Sequence, residues 1–167
     1  MSGFTFLTTF SSVYMVQRFG FSAGTLGTYF AVIGGFIVIT QLFILPFVTK
    51  RANERRILNV TLVILATAIA VFPFLPSVVW LYLIAPFVAI PQGLSIANMS
   101  ALISKSVSAE KQGVALGING SLTALSGGII PILAGVGSGI IGLNAPFVVG
   151  GMCVLWAWSI LFFFEQR

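Results

Sequence analysis

The sequence has no histidine and no aspartate, and its acidic residues are three glutamates. Without these side chains a Ser-His-Asp triad, a histidine metal site or a pair of catalytic carboxylates cannot be assembled. The single cysteine, Cys153, lies in an apolar stretch, which excludes a disulfide framework and a thiolate metal cage. We therefore expect a protein that is not an enzyme and that holds neither a cofactor nor a metal.

Charge of either sign is scarce, at 7% of residues, against roughly 25% in an ordinary soluble domain. Segments 57–104 and 112–164 contain no charged residue at all. Hydrocarbon is the solvent that excludes charge over such lengths, because Lys, Arg or Asp at mid-bilayer costs about 2.5–3.5 kcal/mol each. The sequence therefore predicts an all-α polytopic membrane protein whose first partner is the lipid bilayer.

Six membrane-spanning helices in one domain over residues 1–167 are predicted, since about 20 apolar residues cross the hydrocarbon core. Segment 57–104 is too long for one crossing, and its PFLPS segment marks a turn because proline ends a helix. The second uncharged run is expected to turn between its glycines at 137–139 and Pro146. The predicted spans are 2–17, 25–49, 57–75, 78–104, 113–137 and 145–164.

Basic residues set the predicted orientation, because seven of the eight fall in segments on one side of the predicted bundle. They are Lys50, Arg51, Arg55 and Arg56 after the second span, Lys105 and Lys111 after the fourth, and Arg167 in the tail. By the positive-inside rule both termini are cytoplasmic, in the cell (inner) membrane. These loops also explain the net charge of +5, so no nucleic-acid partner is expected.

Uncharged polar groups inside the predicted spans should face protein or a wet cavity, because an unpartnered amide in lipid is costly. Interhelical hydrogen bonds explain such residues as well as a solute path does, and Tyr14 could instead anchor its helix at the membrane interface. Asn119, Thr123 and Ser126 share one face of the fifth span. The candidates for a substrate pathway are Tyr14, Gln41, Gln92, Asn98 and Asn119.

The fifth predicted span carries rows of small residues at a spacing of four, beginning at Gly113, Gly120 and Gly127. Such rows let helix backbones approach closely in a membrane. We expect most of these glycines to seat tightly packed helices, and the functional alternative is that the smooth helices rock against one another.

Two segments carry a family resemblance. The loop at 46–56, PFVTKRANERR, resembles the second copy of the basic loop motif of the major facilitator superfamily, which runs roughly Gly-x3-Asp-Arg-x-Gly-Arg-Arg. The matching residues are Arg51, Arg55 and Arg56, while Phe47, Lys50 and Asn53 replace the leading Gly, the Asp and the inner Gly. Segments 91–98 and 103–113, with Gly117, Ser121 and Pro131, are similar to the tenth and eleventh helices of multidrug and tetracycline-efflux-like drug:proton antiporters.

The resemblance implies the C-terminal half, helices seven to twelve, of a secondary transporter that works by alternating access. Proton-coupled efflux of small amphipathic molecules is then expected, with substrate bound between two six-helix halves near the midplane. The first, second, fourth and fifth spans would line the cavity, and the basic loop would latch one conformation. The coupling carboxylates would belong to the other half, because no carboxylate lies inside a predicted span here.

The partners implied are a small-molecule substrate and either a missing N-terminal six-helix half or a second copy of the chain. Met1 is accordingly expected to be an internal methionine of a longer protein. The rival hypothesis is a structural or assembly subunit that transports nothing. A channel is less favoured, because the sequence has no ring of charges or filter-like repeat.

Overall fold

Helices account for most of the computed structural model, which describes residues 2–142 and 144–165. The seven α-helices of that part are α1 Ser2–Phe19, α2 Ala23–Ile39, α3 Leu45–Thr49, α4 Glu54–Val71, α5 Val78–Lys105, α6 Gln112–Ile141 and α7 Ala145–Glu165. A π-helical turn, Thr40–Ile44, joins α2 to α3 directly, and we call the combined segment the α2–α3 rod. Over these residues there is no strand, in agreement with the predicted all-α class.

Four helical segments of the described residues are long and apolar enough to cross a bilayer. They are Ala23–Thr49, Glu54–Phe74, Val78–Lys105 and Ala109–Gly139. A shorter apolar helical stretch, Pro146–Ile160, lies in α7. The expectation of a membrane fold is thus supported, while crossings by α1 and α7, which a total of six requires, stay a prediction.

The connections between helices fall at proline and glycine residues, but one of the two predicted turns is helical. After α4 the chain makes a 3-10 turn, Phe72–Phe74, and α5 begins after the PFLPS segment, where a turn was predicted. At the other predicted turn, however, α6 continues through its glycines to Ile141. A helical glycine costs only about 1 kcal/mol, whereas a backbone left unbonded in lipid costs several. The helix ends at Gly142, whose φ of +111° favours a residue without a Cβ.

An aromatic cluster of Phe10, Tyr14, Phe72 and Phe147 joins α1, the 3-10 turn after α4, and α7. The rings of Phe72 and Phe147 stack with centroids 5.1 Å apart and an interplanar angle of 18°. Tyr14 meets Phe147 edge to face at 5.0 Å, and Phe10 meets it at 6.0 Å. All four side chains are buried. Since α4 also packs along α5 and α7, it lies at the centre of the bundle.

Two helical segments lie at the edges of the bundle and are sparsely covered. In their most apolar stretches only 11% of the α2–α3 rod and 6% of α6 is buried, against 50% for α4 and for α5. The rod attaches mainly to α5, and α6 attaches mainly to α1. Most of the surface of both therefore faces lipid or another protein.

The rows of small residues on α6 do not pack inside this part of the chain. A Cβ added at Gly113, Gly120 or Gly127 meets no heavy atom within 4 Å. No helix of the described residues therefore packs on these glycines, and their close packing against a neighbouring helix stays a prediction. The physical reason is that α6 turns a different face, marked by Asn119 and Ile130, towards the bundle.

Candidate functional site

Tyr14 is buried at the end of the bundle where α1 meets the turn after α4. Its hydroxyl donates a hydrogen bond to the carbonyl oxygen of Pro73 at 2.6 Å. The guanidinium of Arg18 donates to both the Tyr14 oxygen and the same carbonyl. These bonds give Tyr14 a structural role between α1 and the turn after α4. A role in a substrate pathway stays a prediction.

Gln41 lies in the π-helical turn, and its side chain is exposed. The preceding residue, Thr40, is fully buried, and its hydroxyl donates to the carbonyl oxygen of Phe36 at 2.7 Å. On the facing helix a Cβ at Gly93 would lie 3.2 Å from the Thr40 side chain. The rod therefore touches α5 at a position where only a glycine fits without displacement. π-turns within α-helices are frequent at functional sites.

The polar residues of α5 face the interior of the bundle, as expected for amides in an apolar solvent. Gln92 and Asn98 are both buried, and the Asn98 side-chain nitrogen donates to the carbonyl oxygen of Leu94 at 2.7 Å. The hydroxyl oxygens of Ser95 and Thr61 lie 2.9 Å apart and link α5 to α4. One interhelical hydrogen bond of the expected kind is therefore present.

Asn98 also lines an open cleft between α3 and α5. The cleft has a volume of about 330 Å³, and Thr49 and Glu54 line it as well. Glu54 forms an ion pair with Lys105, which ties the start of α4 to the end of α5. The cleft thus combines an amide, a hydroxyl and a carboxylate at the end of the bundle that carries the basic loop.

Asn119 lies on the inward face of α6. Asn119, Thr123 and Ser126 are partly buried, whereas their neighbours along the helix are exposed. The Thr123 hydroxyl donates to the carbonyl oxygen of Asn119 at 2.8 Å, and that of Ser126 donates to Leu122 at 2.8 Å. The stripe therefore faces protein, and these hydroxyls are satisfied by their own helix. Gln41 and Asn119 stand on the two edge segments, while Gln92 and Asn98 share α5.

The basic loop lies at one end of the bundle together with the connection between α5 and α6. The side chains of Lys50, Arg51, Arg55 and Arg56 are exposed, and the Arg51 guanidinium lies 4.0 Å from the centre of the Phe47 ring. The Glu54–Lys105 ion pair joins this loop to the end of α5. Both groups of basic residues thus share one end, whereas Arg18 bonds at the turn after α4. Arg167 lies outside the described residues.

The Glu54–Lys105 pair offers a test of how firmly this end is held. Glu54→Gln and Lys105→Gln are each expected to lower the midpoint of thermal unfolding slightly, and the double variant should fall no further than either one. The reason is that the partners of an exposed pair lose the same attraction, which salt screens. Thermal unfolding, monitored by circular dichroism at low and at high NaCl, measures the midpoint of each variant. Additive losses that persist at high salt would contradict the pairing.

Sequence reasoning missed two features of this region. The ion-pairing role of Glu54 was missed because its partner lies 51 residues away in the sequence. The π-turn had a signal in Pro46, which has no N–H to donate to the carbonyl of Leu42 and so weakens the α-helical pattern there.

Residues 1–167 match the family model described as Major Facilitator Superfamily. No curated protein and no solved structure matches the chain.

Proposed function

The chain belongs to the major facilitator superfamily, and we propose that it is the C-terminal half of a proton-coupled efflux transporter for small amphipathic molecules. Membership makes it an integral membrane protein whose general function is transport across the membrane and not catalysis. The efflux direction, the proton coupling and the resemblance to multidrug and tetracycline exporters are the parts that we add.

The observation that carries this proposal is the uneven covering of the helices. α4 and α7 pack against each other and against α5 and α1, whereas the α2–α3 rod and α6 are left mostly bare. Glycines on both edge segments have open space where a Cβ would stand. A second six-helix half laid against them would cover these faces at close range. That half is either an N-terminal partner or a second copy of the chain.

The substrate pathway then runs between the two halves. Gln41 on the exposed surface of the rod, Asn119 at the partly buried face of α6, and the buried Gln92 and Asn98 of α5 supply a few polar contacts in apolar surroundings. This is the composition that an amphipathic solute requires, because apolar walls supply contact area and a few polar groups fix orientation. Tyr14 supports the pathway by fixing the end of α1.

We place the basic loop, both termini and the Glu54–Lys105 pair on the cytoplasmic side of the inner membrane, following the positive-inside rule. There Lys50, Arg51 and their neighbours are positioned to pair with acidic groups of the other half in one conformation. The proton carrier belongs to that other half, because intramembrane proton relays use Asp, Glu or His and none lies in a predicted span here.

Substitution of two pathway residues tests the proposal. In the transporter that contains this chain, Asn119→Leu and Gln92→Leu are each expected to lower proton-driven efflux about tenfold, the effect of one lost hydrogen bond to the solute. Ethidium efflux from cells, normalised to the amount of protein in the membrane, measures it. Asn144→Leu, at an exposed asparagine beside the start of α7, is the matched control and should leave efflux unchanged.

The outcomes separate the alternatives. Unchanged efflux by both variants would remove these positions from the pathway. Efflux by the purified chain alone in liposomes would identify a second copy as the other half. If no N-terminal half that is supplied to the chain restores efflux, the structural or assembly subunit is favoured.

A further inference from the structure

Two apolar grooves run along the exposed side of α4 and share one ridge, formed by Val60 and Ile64. The first groove lies between α3, α4 and α5, has a volume of about 290 Å³, and is walled by Val48, Pro91 and Leu94. Its one hydroxyl group is already bonded within the protein, as described above for Thr61 and Ser95. The walls are therefore oil-like along the length of the groove.

The second groove lies on the other side of the ridge, between α4 and α7. Its volume is about 340 Å³, and Val63, Trp158 and one amide residue, Asn59, line it beside the ridge residues. Val60 and Ile64 are themselves 53% and 39% exposed, so the ridge stands free between the grooves. The surface thus offers two largely apolar grooves separated by a single row of side chains.

Arg56 lies at the end of this surface that adjoins the basic loop. It lines the first groove, and it shares a helix face with Val60 and Ile64 because the three residues are spaced by four. In the described part of the chain Arg56 makes no ion pair or hydrogen bond, since the nearby Glu54 carboxylate is bound to Lys105. The first groove therefore opens beside an uncompensated cation, one helical turn from the ridge that it shares with the second groove.

We propose that this surface binds one anionic phospholipid, with its phosphate on Arg56 and its two acyl chains in the two grooves, astride the ridge. From Arg56 to Ile64 the helix rises about 12 Å, which matches the upper part of an acyl chain below its headgroup. The charge of the site is complementary to an anionic headgroup, because Arg56 is exposed and lines the first groove. Basic pockets beside membrane helices are known to take anionic headgroups. The inference requires membrane residence and is independent of the proposed transport activity.

Trp158 provides a direct probe, because it lines the second groove. In a variant whose other tryptophans are replaced, Trp80→Phe and Trp156→Phe, quenching of Trp158 fluorescence by lipids with brominated acyl chains reports chain occupancy. In phosphatidylcholine bilayers we expect brominated phosphatidylglycerol to quench at about fivefold lower mole fraction than brominated phosphatidylcholine, the preference given by one basic contact.

The matched pair of variants is Arg56→Gln and Arg55→Gln, which remove the same charge from adjacent exposed positions. Arg56→Gln should bring the two brominated lipids to equal quenching, whereas Arg55→Gln, which does not line either groove, should keep the preference. Equal quenching by both lipids before substitution would overturn the proposal. So would an equal loss of preference in the two variants, because it would indicate diffuse attraction to the whole basic loop.

Discussion

Phe147→Ala is expected to destabilise the helix bundle by about 3 kcal/mol. Phe147 is fully buried and its ring meets three others, those of Phe10, Tyr14 and Phe72. Lipid is as apolar as this core, so the transfer of the ring contributes little. The loss comes from the cavity and from the aromatic pairs, each worth about 0.5–1.5 kcal/mol. Unfolding of the purified protein in mixed micelles of dodecyl maltoside and SDS measures it.

Phe87→Ala is the matched control, because Phe87 is 58% exposed on α5 and should change the unfolding free energy by less than about 0.5 kcal/mol. Loss of Phe147 should also loosen Tyr14, because the Tyr14 ring packs against Phe147 while its hydroxyl is bound to Pro73. A destabilisation by Phe147→Ala no larger than that of Phe87→Ala would show that the cluster does not hold α1, α4 and α7 together.

The helices could be predicted from the sequence because lipid excludes charged residues along the whole of each membrane-spanning segment. The uncharged runs at 57–104 and 112–164 contain most of α4 to α7, and the prolines at 73 and 76 place the turn between α4 and α5. In contrast, the faces that pack against one another could not be predicted. In water an apolar stripe marks the buried face, but here nearly every face is apolar, so only a polar stripe such as that of Asn119 shows direction.

The candidate site was predictable in part for the same reason. The inward placement of Gln92 and Asn98 follows from the cost of an amide in lipid, and both are buried. The Tyr14–Pro73 bond and the Glu54–Lys105 pair join residues that are 59 and 51 positions apart, so no local sequence pattern predicts them. The glycine rows of α6 show what a motif leaves open. Their spacing predicts close packing, but it does not identify the surface against which the helix packs.

Gly93→Val is expected to destabilise the attachment of the α2–α3 rod by about 2 kcal/mol. The first added carbon alone would lie 3.2 Å from the Thr40 side chain, and the two further methyl groups need more space. Thr40 cannot yield readily, because it is fully buried and its hydroxyl is bound to Phe36. Since the rod attaches mainly to α5, its separation there should also abolish efflux in the complete transporter. Unfolding in mixed micelles and the efflux assay measure the two effects.

Gly120→Val is the matched control, since it makes the same change within a helix where a Cβ meets nothing within 4 Å. In the isolated chain it should leave stability unchanged, because valine is no worse than glycine in a helix. In the complete transporter, efflux distinguishes whether another half or lipid covers the bare face of α6. If a second half covers that face, Gly120→Val lowers efflux without lowering the stability of the isolated chain. If lipid covers it, both stay unchanged, and the docking of another half on α6 is contradicted.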